Sequence, residues 1–285
     1  MDRLKVTCQY CHFDYIAHDN CCPHCDTPGE YPNVLLARGE KIALEIRHAE
    51  VCVWAREEGL EALLQDFQDT VQQESRACMN RSFLDVRQLV EEYGCYANFY
   101  KKLQAGIRFP KNNAWDRSRE IVDSLFFPHF KERICFAALT LDLRGLEHYG
   151  ACCMIFAERM IAHRTTFFHE NSVQFVMDRD LKYKEQIPDG FRATWEQRAM
   201  LAIAKAGKKL TKTTTKADFS SIVVQAGTPG MGNDSFIEGH IFRSFTVHSL
   251  RLVSFPAQPH ARFADDANML ENDLRDRQIP FARWS

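Results

Sequence analysis

The chain has no apolar run that approaches the ~20 residues a membrane-spanning helix needs. Its first residues also lack the basic stretch, the apolar core and the small-residue cleavage site of a secretory signal. Nor does charge of one sign prevail, because 36 basic side chains face 38 acidic ones. We therefore expect no membrane partner, and no overall field that selects nucleic acid.

Several common catalytic signatures are absent as well. The sequence contains no GxGxxG fingerprint, no Walker loop, no GxSxG elbow and no HExxH helix. Their absence argues against the usual dinucleotide-binding, P-loop, hydrolase and zinc-protease folds. There is also no internal repeat, and at 285 residues the chain can hold one large domain or two ordinary ones.

The most specific pattern that is present lies in the cysteines near the N-terminus. Cys8-x2-Cys11 is followed by Cys22-x2-Cys25. Two CxxC turns that face each other supply four thiolates, which is the tetrahedral ligand set of structural zinc. The spacing therefore predicts a zinc ribbon over residues 1–32, where the metal replaces a core that ~30 residues cannot build.

Alternatives to this ligand set remain open. Cys21 is adjacent to Cys22 and can take its place, and His12 or His24 can substitute for a thiolate. A disulfide pair would need an oxidising compartment. The other cysteines are scattered without a framework, so we expect a reducing, cytoplasmic location. Four thiolates leave no open coordination position for water, which favours a structural over a catalytic zinc.

The predicted ribbon is acidic. Five acidic residues against two basic ones give it a formal charge of −3, and four thiolates with Zn²⁺ add −2. Such a module is repelled by phosphate. We therefore interpret it as a folding or protein-docking element and not as a nucleic-acid reader.

Residues 38–127 have the periodicity of a helical region. Ile42, Ile46, Ala49 and Val53 recur at spacings of four, three and four, with charged residues between them. Further helices are predicted over Ser82–Glu92, Tyr96–Leu103 and Trp115–Leu125. The interpretation is a scaffold of a few packed helices without a function of its own.

Residues 128–285 have the pattern of strands, in short apolar runs separated by turns. The strand candidates are Ile134–Leu143, Ala151–Phe156, Val173–Val176, Ser221–Gln225, Phe236–Phe242 and Thr246–Ser254. One helix is expected over Ala193–Lys208, and an amphipathic acidic helix over Asp265–Arg277 that docks on the body or on a partner. Clustered strands with few helices between them predict an α+β domain with a mostly antiparallel sheet.

Two places along these strands carry groups that bind nucleotides. Arg144 followed by Gly145 ends the first strand, where a guanidinium can bind a diphosphate with two parallel hydrogen bonds. Thr165 and Thr166 offer hydroxyl groups within an apolar segment. The ordinary interpretation is a surface arginine at the end of a strand for Arg144 and common strand-forming residues for Thr165 and Thr166.

A third place combines a glycine-rich loop with a carboxylate. The loop Gly227–Asn233 precedes a strand in which Glu238 and His240 project from the same face. A carboxylate behind a loop can polarise a ribose hydroxyl or stabilise a positively charged transition state. Glu238 and His240 are therefore the candidate catalytic residues.

The order of these residues resembles the ADP-ribosyltransferase superfamily. In that resemblance Arg144 matches the arginine that binds the NAD phosphates, and Thr165 or Thr166 matches the central Ser/Thr. Glu238 matches the catalytic glutamate, and the loop Gly227–Asn233 matches the target-recognition loop. The resemblance covers about residues 134–255.

This resemblance implies an enzyme that binds NAD⁺ and transfers ADP-ribose to a protein or nucleic-acid target. It also implies a bacterial toxin or conflict effector, with an antitoxin or another complex partner. Phe236 occupies the position two residues before Glu238, which argues against transfer to arginine. The alternative function is a non-catalytic zinc-ribbon adaptor that binds a partner protein or RNA.

A lysine-rich segment follows the predicted helix. Five lysines accompany four threonines between residues 205 and 216. Cations are favourable at a helix C-terminus, so part of this charge compensates the helix dipole. The remainder is either a solvated surface or a phosphate-binding patch.

Overall fold

The computed structural model describes residues 4–91, 94–107, 114–182, 185–228 and 234–285. Strands β1 (Lys5–Thr7) and β2 (Asp14–Ile16) pair antiparallel near the N-terminus. Within the described residues no helix combines the length and the apolar character needed to cross a membrane.

Eleven helices are present in the described residues. They are α1 (Pro32–Gly39), α2 (Lys41–Glu57), α3 (Glu61–Glu74), α4 (Phe83–Glu91), α5 (Phe99–Gln104), α6 (Ala114–Phe126), α7 (Glu158–Ile161), α8 (Ser172–Asp178), α9 (Arg198–Ala206), α10 (Phe219–Val223) and α11 (Ala264–Asp276).

The other strands form one eight-stranded sheet. They are β3 (Arg76–Arg81), β4 (Ile134–Thr140), β5 (Cys152–Phe156), β6 (Thr165–Phe168), β7 (Arg192–Thr194), β8 (Glu238–Phe242), β9 (Leu250–Pro256) and β10 (Phe281–Trp284). Their order is β10-β9-β5-β3-β4-β8-β6-β7, and every pair except β9 with β10 is antiparallel. The α+β class and the mostly antiparallel sheet are thereby confirmed.

Strand β3 was not predicted. It comes from the region 38–127, for which we expected only helices, yet it lies in the sheet between β4 and β5. Cys78 of β3 is paired with Ala138 on one side and with Ile155 on the other. The helical region therefore shares its sheet with the C-terminal strands.

Two predicted strands are helices in the structure. The segment 173–176 belongs to α8, because the Asn171 side chain accepts hydrogen bonds from Val173 N and Gln174 N and so caps the helix. The segment 221–225 overlaps α10. The helix expected over 193–208 begins later, because 192–194 form β7 beside β6.

Helix α2 forms as predicted, but its apolar stripe faces solvent. Ile42, Ile46 and Val53 are 73%, 58% and 50% exposed. The face that packs against the body instead carries Leu44 and Val51. The periodicity identified the helix, and tertiary packing chose the other face.

A cluster of aromatic side chains packs on the face of the sheet from which Glu238 projects. Phe126 and Phe127 of α6 pack with Phe168 of β6 and Phe242 of β8, and all four are buried. Leu4, which precedes the N-terminal strands, belongs to the same core.

Candidate functional site

The four predicted cysteines lie together. The sulfur atoms of Cys8, Cys11, Cys22 and Cys25 all lie within 4.8 Å of one another. The Cys8–Cys25 and Cys11–Cys22 sulfur separations are 3.6 and 3.7 Å. A tetrahedron with metal–sulfur bonds of about 2.3 Å has sulfur–sulfur edges of roughly 3.8 Å, whereas a disulfide needs about 2.05 Å. The cluster therefore fits a metal ion and not a pair of disulfides.

Backbone N–H groups point at the cluster. Tyr10 N and Cys11 N lie 3.4 and 3.5 Å from Cys8 Sγ, and His24 N lies 3.4 Å from Cys22 Sγ. The hydrogen bonds from Cys11 N and then Tyr10 N lower the pKa of Cys8 to about 6. Burial raises the pKa of the neighbouring Cys11 to about 12, so of these two sulfur atoms it is Cys8 that ionises first, to the thiolate form that binds a metal.

The alternative ligands lie outside the cluster. The sulfur atom of Cys22, and not that of Cys21, belongs to the cluster, and Cys21 forms a backbone bridge with Pro28. The ring of His24 stacks on Phe13 with the centroids 5.2 Å apart.

Besides Leu4, the cysteine module contacts the body through a carboxylate. Asp19 Oδ1 accepts hydrogen bonds from Arg133 Nη1 at 3.0 Å and from Arg243 Nη2 at 2.8 Å. Arg243 directly follows β8. The module is thus attached at one end of the strand that carries Glu238.

A cleft of 630 Å³ opens over strands β3, β4 and β8. Its lining includes Glu238 from β8, Phe136 from β4, Arg81 from β3 and Arg119 from α6. This volume is within the usual range of small-molecule sites. The charged groups of the lining are three carboxylates and three cations, from Glu238, Asp85, Asp234, Arg81, Lys102 and Arg119, and they stand among aromatic rings.

Glu238 and His240 form a buried pair in this region. Their side chains lie on one face of β8, and Glu238 Oε1 is 2.8 Å from His240 Nε2. Burial lowers the pKa of His240, against the opposing effect of Glu238. The imidazole is therefore neutral at pH 7 and donates Nε2–H to the carboxylate. Nδ1 has no hydrogen-bond partner among the described residues.

Aromatic rings hold His240 in place. The centroids of Phe127 and Phe136 lie 4.7 and 5.6 Å from that of the imidazole, both edge to face. This packing fixes the ring that orients the Glu238 carboxylate.

A second carboxylate, Asp123, lies near Glu238. Its Oδ2 accepts a hydrogen bond from Tyr100 at 2.8 Å and is 3.8 Å from Arg119 Nη1. Burial raises the pKa of Asp123 to about 6, with a further contribution from the charge of Glu238. Arg119 also lies over the ring of Phe136, 4.7 Å from its centroid. The position of Arg119 is thus fixed by the acid and the ring together.

Arg81 supplies the other guanidinium group of the cleft. Its Nε donates to Tyr96 Oη at 2.7 Å, and its Nη1 donates to Asn80 O at 2.7 Å. Among the described residues no carboxylate forms an ion pair with Arg81. Asp85, which also lines the cleft and pairs with Lys102, lies close enough for the charge of Arg81 to contribute to lowering its pKa.

The rim of the cleft contains an acid with two aromatic partners. Asp234 Oδ2 is 3.0 Å from His148 Nε2 and accepts a hydrogen bond from Tyr149 at 3.0 Å. Asp234 Oδ1 accepts a hydrogen bond from Gly227 N at 2.8 Å.

Asn80 of β3 positions the segment 144–150, which carries His148 and Tyr149. Its Nδ2 donates to Arg144 O and Gly150 O at 2.8 and 3.1 Å, and its Oδ1 accepts from Leu146 N at 2.9 Å. Gly145 has φ +58°, and a Cβ there would lie 2.4 Å from Asn80 Oδ1. The close approach of this loop to β3 therefore requires glycine.

Of the residues singled out in the sequence, Glu238 lines the cleft, and His240 is buried behind it in contact with the Glu238 carboxylate. Arg144 does not line it, because its guanidinium bonds to Ser285 O and lies 5.0 Å from the ring of Trp284. Thr165 and Thr166 are buried.

Each of these hydroxyl groups has a partner. Thr165 Oγ1 donates to Ile161 O at 2.8 Å, and Thr166 Oγ1 lies 3.4 Å from Asn33 Nδ2. Thr166 is nevertheless the register partner of His240 on the neighbouring strand. Residues 229–233 of the predicted recognition loop lie outside the described residues.

Sequence reasoning missed Arg81, Arg119 and Asp123. The sequence held one signal for Arg119 and Asp123, because they form an i, i+4 pair of opposite charge in a predicted helix. In the structure Asp123 takes a buried position of that helix. The sequence held no signal for Arg81, because Arg81 ends the strand that was not predicted.

No protein-family model matches this chain, and no curated protein matches its sequence.

Proposed function

We propose that the cleft is the active site of an NAD⁺-dependent ADP-ribosyltransferase with Glu238 as the catalytic carboxylate. The observation that carries the proposal is the Glu238–His240 pair at a cleft that also contains Arg81 and Arg119. Two guanidinium groups suit a substrate that has a diphosphate. A buried carboxylate in the same cleft suits a reaction in which positive charge develops at a ribose carbon.

In the proposed reaction the bond between ribose C1′ and the nicotinamide nitrogen breaks. The bonding electrons stay with nicotinamide, which leaves as a neutral molecule, and positive charge develops on the ribose. Glu238 stabilises this charge, and His240 keeps the carboxylate oriented by donating to Oε1. The acceptor atom then bonds to C1′, and its proton is released to solvent.

The cations of the cleft would hold the diphosphate. Arg119 is fixed by Asp123 and Phe136, and Arg81 by Tyr96, so both are held before a ligand arrives. Preorganised cations lose little side-chain entropy on binding. The ring of Phe136 provides an apolar wall for a base or for nicotinamide.

For the cysteine module, we propose a structural zinc ion held by Cys8, Cys11, Cys22 and Cys25. The sulfur separations support this metal, and the four thiolates leave no position for a substrate. The module would stabilise its own fold and its Asp19 contact with Arg243.

The transferase proposal is tested with NAD⁺ labelled in the adenylate part and a cell lysate. The wild type should release nicotinamide and label a macromolecule, and Glu238→Gln should lower both rates by about 10²–10³-fold. A circular dichroism melt shows whether the variant is folded. If the wild type releases no nicotinamide and transfers no label, the adaptor function is favoured instead.

A further inference from the structure

Two lysines of the lysine-rich segment at the end of α9 bond to residues beside the cleft. Lys205 Nζ donates to Phe236 O at 2.5 Å, and Lys209 Nζ donates to Ser235 Oγ at 3.2 Å. Phe236 lines the cleft, and Asp234, on the other side of Ser235, does so too. The lysines are therefore separated from the cleft only by the chain segment that forms its rim.

Positive charge is concentrated at this end of the segment. Lys208 and Lys212 are exposed, and no carboxylate forms an ion pair with either one among the described residues. Further along, Lys216 pairs with Glu74 at 2.8 Å. The lysines without an ion pair are thus neighbours in sequence of Lys209, whose Nζ bonds to Ser235 beside the cleft.

Other cations lie close to Lys205 and Lys209. His169 precedes α8 and lies near Lys205 and Lys209 as well as Arg47 and Arg179. Burial, and then the charges of these four residues, lower the pKa of His169 to about 2. The nearby Glu170 is bound to Arg179 at 3.2 Å, so it offsets only part of the charge.

An exposed aromatic ring lies on the other side of Asp234. Tyr149 lines the cleft and is 48% exposed. Its hydroxyl group is held by Asp234, and its ring lies 4.3 Å from that of His148. The ring is therefore anchored at its edge, while part of its surface is open to solvent.

We propose that this rim binds single-stranded nucleic acid, with the phosphates along Lys208, Lys209 and Lys212 and one base on Tyr149. A row of cations beside an aromatic ring is the common arrangement for single-strand binding. A duplex keeps its bases stacked and paired, so Tyr149 would not reach their faces. Binding of the strand does not depend on the transferase activity. The further step, in which the bound strand accepts ADP-ribose, rests on the proposed function.

Binding is measured by fluorescence anisotropy with a labelled single-stranded oligonucleotide, DNA or RNA, at low salt and without NAD⁺. The double variant Lys208→Glu with Lys212→Glu should weaken binding at least ~10-fold. It should also reduce the slope of log K against log salt by about 1.4, which is two phosphate contacts. Arg159→Glu with Arg262→Glu is the matched control, because it removes the same charge at two exposed positions outside the cleft lining.

Tyr149 is tested in the same assay. Tyr149→Ala should weaken binding about tenfold, whereas Tyr149→Phe keeps the ring and should bind like the wild type. The inference is overturned if the wild type does not bind, if the lysine variant binds as well as the arginine control, or if a duplex binds more tightly.

The two proposals fail separately. Nicotinamide release with label on protein, but no oligonucleotide binding, overturns this inference and leaves the transferase standing. Oligonucleotide binding that depends on Lys208 and Lys212, without nicotinamide release, supports the nucleic-acid surface and overturns the transferase.

Discussion

The cysteine module and the cleft differ in how their parts are brought together. Cys8 and Cys25 are 17 residues apart, and two tight turns are enough to make their sulfur atoms meet. The cleft takes Arg81, Arg119 and Glu238 from three elements that are far apart in the chain. A site built from local turns can be predicted from spacing alone, whereas the cleft exists only once the sheet has formed.

The first prediction concerns the four cysteines of the module. Cys22→Ser removes one of four thiolates, and a structural zinc site contributes about 10–16 kcal/mol of apparent binding free energy at pH 7. We expect the variant to lose zinc and the order of residues 4–31, measured by metal analysis and limited proteolysis. Cys21→Ser is the matched control and should retain one zinc per chain.

The outcome for the rest of the molecule tests how independent the two regions are. Leu4 and Asp19 are the contacts described above between the module and the body. We therefore expect the sheet to stay folded in Cys22→Ser. Cooperative loss of the whole fold would show that the module is integral to the core.

The second prediction concerns Asp123. Burial raises its pKa from 3.8 to about 6. Such a group stabilises the fold in its protonated form, so its contribution is complete below pH 3.8 and is lost as the pH rises through 6. The shift of about two units corresponds to about 3 kcal/mol at most.

Asp123→Asn removes this dependence. The amide oxygen can still accept the hydrogen bond from Tyr100. We expect urea unfolding to show a gain in the free energy of unfolding of the variant relative to the wild type at pH 8, with a smaller gain at pH 5. A difference that is the same at both pH values would contradict the raised pKa.

The smallest expected effect separates the cleft from the family resemblance. Arg119 lines the cleft, whereas Arg144 is bonded near Trp284. We expect Arg119→Ala to raise the KM for NAD⁺ about tenfold, as the loss of one charged hydrogen bond does. Arg144→Ala should change it less than about threefold. The reverse order would favour the assignment that the resemblance makes for Arg144.

The fold was predictable where the pattern is local. Apolar runs identified β4, β5, β8 and β9, and periodicity identified α2. Strand β3 was missed because Arg76–Arg81 has polar residues at both ends, and its pairing with β4 and β5 is long-range. The segment 173–176 has the composition of a strand, but the Asn171 cap makes it a helix.

The site was predictable to a similar extent. Glu238 and His240 lie two apart in one strand, so their shared face followed from the sequence. The cations beside them did not, because Arg81 and Arg119 reach the cleft through tertiary packing. The exposed stripe of Ile42 and Ile46 shows the same limit, since periodicity does not say which side of a helix is covered.

The claim that NAD⁺ binds in the cleft is tested most directly by a crystal structure of the Glu238→Gln variant with NAD⁺. We expect the diphosphate at Arg81 and Arg119, and the ribose that carries nicotinamide next to residue 238. NAD⁺ bound away from this cleft, or no NAD⁺ bound at millimolar concentration, would contradict it.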